Sequence, residues 1–158
     1  MTQETTLARP QVTLENPSSN RRASLIVKDF GHRGRGIVAN EDIAPGQLIE
    51  RSPVLIIPSA ERVMLDQTII FTYVFMWEHL SVEQDLYKHV GRSAIALGYT
   101  SLLSHSFQPN CTFIRYIDEL FIDVFANRLI RAGEELTIDY QMTLWFDPVA
   151  IEGCPHES

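Results

Sequence analysis

The chain contains Leu103-Ser104-His105-Ser106-Phe107-Gln108-Pro109-Asn110 and, further on, Gly133-Glu134-Glu135-Leu136-Thr137-Ile138-Asp139-Tyr140. Hydroxyls, an imidazole and a terminal phenol are groups that can orient a reacting partner through hydrogen bonds. Pro109 and Asn110 punctuate the first segment as a polar loop of the kind that often sits beside chemistry. A second polar loop, Arg131 to Glu134, opens an alternating strand, Glu135 to Tyr140. Leu136, Ile138 and Tyr140 share one face of it, and Glu135, Thr137 and Asp139 the other. That alternation predicts the Tyr140 hydroxyl on the inward side, at a strand end. A lone tyrosine in such a place is ordinarily an amphipathic core residue whose hydroxyl finds a backbone partner, so any chemistry rests on its neighbours.

Short strands must position these groups. Leu25 to Val27, Gly36 to Ala39, Gln47 to Glu50, Val54 to Ile57, Ile69 to Trp77, Ala94 to Leu97, Thr112 to Ile117, Leu120 to Phe125 and Glu135 to Tyr140 are β-branched or aromatic runs bounded by turn residues. Helix is scarce: Pro58-Ser59 opens one from Ala60 to Asp66, and Ser81 with Gln84 forms a capping-box start for another reaching Val90. The fold class is therefore β-rich with a minor helical part. Residues 1–22 are rich in Thr, Asn, Ser, Pro and Gln and read as a flexible N-terminal tail, 23–146 as one domain, and 147–158 as a short C-terminal tail.

Composition bounds the function. With 158 residues, 45% of them hydrophobic, the chain supports one ordinary core. A formal net charge of −7, from 20 acidic and 13 basic residues, disfavours nucleic acid as a partner and favours a cationic one. Two cysteines, Cys111 and Cys154, imply no disulfide framework. No apolar run approaches the length of about 18 residues that a membrane span needs, and no secretory pattern opens the chain. The expectation is a soluble, intracellular protein, cytoplasmic or nuclear.

Gly31-His32-Arg33-Gly34-Arg35-Gly36 is not a dinucleotide fingerprint, because its glycines are spaced otherwise and a strand follows instead of a helix. Taken alone it is a tight turn entering a hairpin. Taken with Asp42-Ile43-Ala44-Pro45-Gly46 and Ile49-Glu50, then Leu103 to Asn110, then Gly133 to Tyr140, it forms a set of ordered blocks. In that order and at those distances the chain resembles the SET-domain protein-lysine methyltransferases, from about Ala23 to Phe146. The resemblance implies a β-clip of small curled sheets, a short helical insert and a C-terminal pseudoknot.

It also implies S-adenosyl-L-methionine as cofactor and a lysine-containing protein or peptide, by charge a basic one, as substrate. By resemblance, Gly34, Arg35, Gly36, Ser104, His105 and Phe146 contact the cofactor, the glycines by allowing backbone amides to approach it. Tyr140 is the first catalytic candidate, beside the amine and the transferring methyl. Tyr99 is the second, standing in for a tyrosine that the family often carries where this chain has Arg51, Ser52 and Pro53. Tyr73, Ile138 and Trp145 are expected along the substrate channel, with Ile138 where the family often has an aromatic ring. A narrow apolar channel favours the neutral amine and aligns it opposite the leaving sulfur. No metal is expected, since Cys154-Pro155-His156 supplies too few ligands for a zinc site.

Ser104 departs from the family's usual Asn, exchanging a carboxamide for one hydroxyl. That departure, with the missing tyrosine after Glu50, leaves open a degenerate module that binds a peptide without turnover. A methyltransferase for a small amine and an unrelated β-clip binding protein also stay open.

Overall fold

The structure, a computed structural model, describes residues 23–78 and 91–141. In chain order they form β1 (Leu25–Asp29), β2 (Arg35–Ala39), β3 (Leu48–Ile57), α1 (Ser59–Leu65), β4 (Val74–Met76), β5 (Ser93–Ala96), β6 (Ser104–His105), β7 (Cys111–Tyr116), β8 (Phe121–Ala126) and β9 (Thr137–Ile138). Short stretches of 3-10 helix occur at Gly31–Arg33, Ile69–Tyr73 and Thr100–Leu102. The strands make an antiparallel hairpin β1-β2, a five-stranded antiparallel sheet ordered β4-β5-β3-β8-β7, and a parallel pair β6-β9.

β3 is one strand where the sequence suggests two, and Pro53 explains how. Leu48 to Pro53 register against β8, while Val54 to Ile57 register against β5. Proline, which has no amide hydrogen to donate, sits where the strand changes partner. Its carbonyl still accepts from the Leu97 amide at 2.8 Å.

The apolar run Ile69 to Trp77 is also not the single strand expected. It begins as a 3-10 turn whose start is capped by Thr68, the hydroxyl accepting from the Ile70 amide, and becomes strand only at Val74. The helix beginning beside Pro58 is present as α1, whereas Ser81 to Val90 lies outside the described residues.

The core gathers Ile37, Ile43, Ile49, Ile122, Ile130, Leu136 and Ile138, all essentially inaccessible. Burying each such side chain contributes roughly 1.5–3 kcal/mol. Ile130, Leu136 and Ile138 lie in the segment leading to Tyr140, which is thereby anchored in the core.

That segment is held on two sides. Toward β2, the Ala39 amide donates to the Glu134 carbonyl and the Leu136 amide to the Ile37 carbonyl; toward β6, the Ser106 amide donates to the Ile138 carbonyl. Regular pairing is confined to Thr137–Ile138, shorter than the Glu135 to Tyr140 strand expected. The inside/outside alternation fails for the same reason: Thr137, between two neighbouring segments, is buried along with Leu136 and Ile138.

Candidate active site

Tyr140 leaves the end of β9 with its backbone amide donating to His105 Nδ1 at 3.1 Å and its hydroxyl donating to the Leu103 carbonyl at 2.8 Å. The two rings lie 5.1 Å apart, centroid to centroid. Parallel pairing of β6 with β9 sets Ser104 opposite Thr137 and His105 opposite Ile138, which brings the Ser-His loop alongside the terminal tyrosine. Burial, with the Glu135 carboxylate and the Tyr73 phenol nearby, pushes the Tyr140 phenol up to about 12. It is a neutral hydrogen-bonding group at physiological pH.

A narrow cavity of about 20 Å³ opens at this hydroxyl, lined by Tyr73, Phe75, Thr100, Ser101, Leu103 and Tyr140 among others. Such a volume holds about one water molecule or a group of similar size. Tyr73 reaches the wall from the 3-10 turn preceding β4. Ser101 links that turn to the next: its Oγ lies 3.0 Å from the Ala96 carbonyl and 3.3 Å from the Tyr73 carbonyl.

His105 is neutral in this setting. Nδ1 accepts a hydrogen bond, so the proton resides on Nε2. Burial holds the imidazole below its ordinary range, partly offset by Asp139. Nε2 is buried and has no hydrogen-bond partner among the described residues. Phe107 packs edge-on against the ring at 4.6 Å.

The glycine turn and the Ser-His loop meet at one carboxylate. Glu135 receives Arg33 at 2.7 Å on one oxygen and the Ser104 hydroxyl at 2.5 Å on the other. Gly36 is where this carboxylate crosses β2: a Cβ there would sit 2.8 Å from Glu135 Oε1 and 2.9 Å from the Phe30 ring. Arg33 stacks over that same ring at 4.6 Å. Gly34 ends the turn at φ +78°, and Arg35 next to it is exposed. Asn110 braces the loop from behind, donating to the Glu135 carbonyl and accepting from the Thr137 amide, both at 2.8 Å.

The residues expected from the sequence therefore divide. Tyr140 and Tyr73 share the cavity wall, with His105 packed against Tyr140 and Ser104 joined through Glu135 to the turn that carries Gly34, Arg35 and Gly36. Tyr99 is not part of the cavity wall; the residue is 42% exposed, at the start of the Thr100–Leu102 turn. Ile138 packs into the core, because the β6 pairing turns it inward. Phe146 and Trp145 lie outside the described residues. Arg51, at the position of the missing tyrosine, pairs bidentately with buried Asp123 at 2.7 Å and stacks on Phe121.

Sequence reasoning missed Glu135 as a junction, having assigned it to the outer face of a regular strand. It also missed Thr100 and Ser101, whose small side chains carry no signal until the turn is built. Among the described residues no cluster of His, Cys, Asp and Glu could hold a metal ion, and no helix is long and apolar enough to cross a membrane.

Comparison with known proteins bears on the family and the fold. The SET domain family model matches residues 34–141. The Schizosaccharomyces pombe protein named histone-lysine N-methyltransferase, H3 lysine-37 specific, is 31% identical over 130 residues, covering 82% of this chain and 81% of its own length. The Neurospora SET domain protein DIM-5, a histone lysine methyltransferase, superposes with a TM-score of 0.57 at 24% identity, over 83% of this chain and 57% of that one. A structure of ctPRC2 in an autoinhibited conformation bound to S-adenosylmethionine gives a TM-score of 0.60 at 19% identity, over 77% of this chain and 15% of that one. With matching blocks, fold and relatives in agreement, the chain belongs to the SET-domain family and is a protein-lysine methyltransferase.

Proposed function

We propose that this chain transfers a methyl group from S-adenosylmethionine to the side-chain amine of a lysine in a basic protein segment, by in-line displacement inside the Tyr73–Tyr140 cavity. The observation that carries this reading is the Tyr140 hydroxyl, held at 2.8 Å on the Leu103 carbonyl at the wall of a cavity about 20 Å³ in size. With its proton donated to that carbonyl, the phenol oxygen acts toward a substrate N–H as an acceptor. The amine is oriented by accepting geometry and not by charge, because the phenol stays neutral. The apolar side of the wall, including Phe75 and Leu103, disfavours an ammonium ion and so favours the nucleophilic free base.

The residues fit the cofactor. A Cβ at Gly34 would meet nothing within 4 Å, so the turn is open to a ligand, and the buried Nε2–H of His105 lacks a partner among the described residues. Gly34, Arg35, Gly36 and the Ser104-His105 strand would hold it. Bound there, S-adenosylmethionine would supply an electrophilic methyl on a sulfonium, which the neutral amine would take from sulfur, its extra proton then passing to solvent. Carbonyl oxygens such as that of Leu103 favour a polarised methyl through weak C–H···O contacts.

A basic substrate agrees with the net charge of −7 and with a relative named for a lysine of histone H3. A nuclear or cytoplasmic location follows from such a substrate. The experiment is calorimetric titration with S-adenosylmethionine followed by methyl transfer to lysine-containing proteins. Binding with transfer supports the proposal, whereas binding without transfer to any tested protein favours a peptide-binding module or a small-amine substrate.

A further inference from the structure

Glu50 lies on β3, away from the cavity wall, yet its carboxylate is engaged at both oxygens by the turn that builds that wall. Oε1 accepts from the Tyr99 amide at 3.1 Å, and Oε2 accepts from the Thr100 hydroxyl at 2.8 Å. Ser52, two residues along and on the same face of β3, meets Thr100 Oγ1 at 2.8 Å. Because Thr100 spends its proton on Glu50, Ser52 must be the donor in that pair, giving an aligned run from Ser52 through Thr100 to the carboxylate. Thr100 and Ser52 are fully buried. Gly98 admits this close approach: a Cβ there would lie 2.7 Å from Glu50 Oε1 and 2.9 Å from Ser52 Oγ.

The turn so held runs directly into the site. Thr100–Leu102 is a single 3-10 turn, Ser101 bridges to the Tyr73 carbonyl, and Leu103 follows with the carbonyl that receives the Tyr140 hydroxyl. A carboxylate accepting a backbone amide and a buried hydroxyl makes charge-assisted bonds, stronger than neutral ones.

We propose that Glu50 is a positioning residue for methyl transfer: by clamping the Gly98-Tyr99-Thr100 turn it fixes the Leu103 carbonyl, and through it the orientation of the Tyr140 hydroxyl. This rests on the lysine-transfer reading above for its kinetic part, but the linkage itself is readable without turnover.

The test uses the full chain carrying 13Cζ-labelled tyrosine, with the Tyr140 resonance assigned by its loss in Tyr140→Phe. Glu50→Ala and Glu50→Gln are compared with the parent for that resonance, for S-adenosylmethionine affinity by calorimetry, and for kcat and KM. The expected result is a displaced Tyr140 resonance in Glu50→Ala, a fall in kcat of about tenfold or more from misplacement of the phenol, and cofactor affinity within about twofold of the parent. Glu50→Gln, whose one amide oxygen replaces only part of the acceptor set, falls between them. If Glu50→Ala does not fold, Thr100→Val, which deletes one hydroxyl at nearly constant volume, must give the same displacement. An unmoved Tyr140 resonance in the folded variants overturns the proposal, as does a kcat loss that merely follows lost cofactor binding. A displaced resonance in a parent protein that transfers no methyl would retain the clamp and remove the lysine-transfer reading instead.

Discussion

Tyr140 donates its phenolic proton to the Leu103 carbonyl at 2.8 Å, and the same tyrosine offers its backbone amide to His105 Nδ1 at 3.1 Å. One residue thereby ties the end of β9 to both flanks of the Ser-His segment. The side-chain bond aims the hydroxyl at the cavity; the backbone bond fixes the imidazole tautomer. The cavity and the histidine environment are consequences of the same chain crossing, and each can be perturbed separately.

The protonation of Tyr140 is the first of these. Since burial pushes its phenol up to about 12, Tyr140 remains protonated wherever the enzyme is assayed. The 13Cζ resonance of Tyr140 should stay at its phenol position up to at least about pH 10, near which an ordinary tyrosine titrates. Titration of that resonance below pH 10 would show that the ring is not buried as described.

His105 makes a prediction about stability. Its folded-state affinity for protons is lowered from the ordinary value of 6.5, so the unfolded chain binds the proton more readily. Stability is therefore unaffected above pH 6.5 and declines as pH falls through that value. Thermal melts between pH 7.5 and 5 should show a larger decline for the parent than for His105→Asn. Equal slopes would contradict a buried neutral imidazole.

Gly36→Ala forces a methyl to within 2.8 Å of Glu135 Oε1 and 2.9 Å of the Phe30 ring. Overpacking of this kind costs about 1–3 kcal/mol. The variant should melt at lower temperature and bind S-adenosylmethionine more weakly, because Glu135 joins the glycine turn to Ser104. Unchanged melting and binding would mean that Glu135 can move aside freely.

Cys111 is buried in the core and its thiol is pushed up to about 12. The thiolate is the reactive form, so alkylation of the Cys111 peptide at pH 8 should be about 10²-fold or more slower in the native protein than in denaturant. Mass spectrometry distinguishes it from Cys154. Rapid native modification of Cys111 would show that β7 opens readily.

The sequence carried the ordered turn and loop blocks and most strand positions, because glycine, proline and β-branched runs act locally. It did not carry the break in Ile69 to Trp77, where a short apolar run suits a 3-10 turn or a strand equally well. That break is what brings Tyr73, and not the exposed Tyr99, to the cavity. Strand alternation likewise misassigned Glu135 and Thr137, since period-two patterning presumes a regular strand and β9 spans only Thr137–Ile138. The Glu50 clamp depends on contacts between segments distant in sequence, which no local pattern encodes.

The most direct test compares the parent with Tyr140→Phe at saturating S-adenosylmethionine, measuring methyl transfer to lysine and cofactor affinity on the same preparations. The expected result is cofactor binding within about twofold in both proteins and transfer slowed on the order of 10²-fold in the variant, the scale of a misaligned nucleophile. Equal transfer rates with and without the Tyr140 hydroxyl, or a parent protein that binds no S-adenosylmethionine, would contradict it.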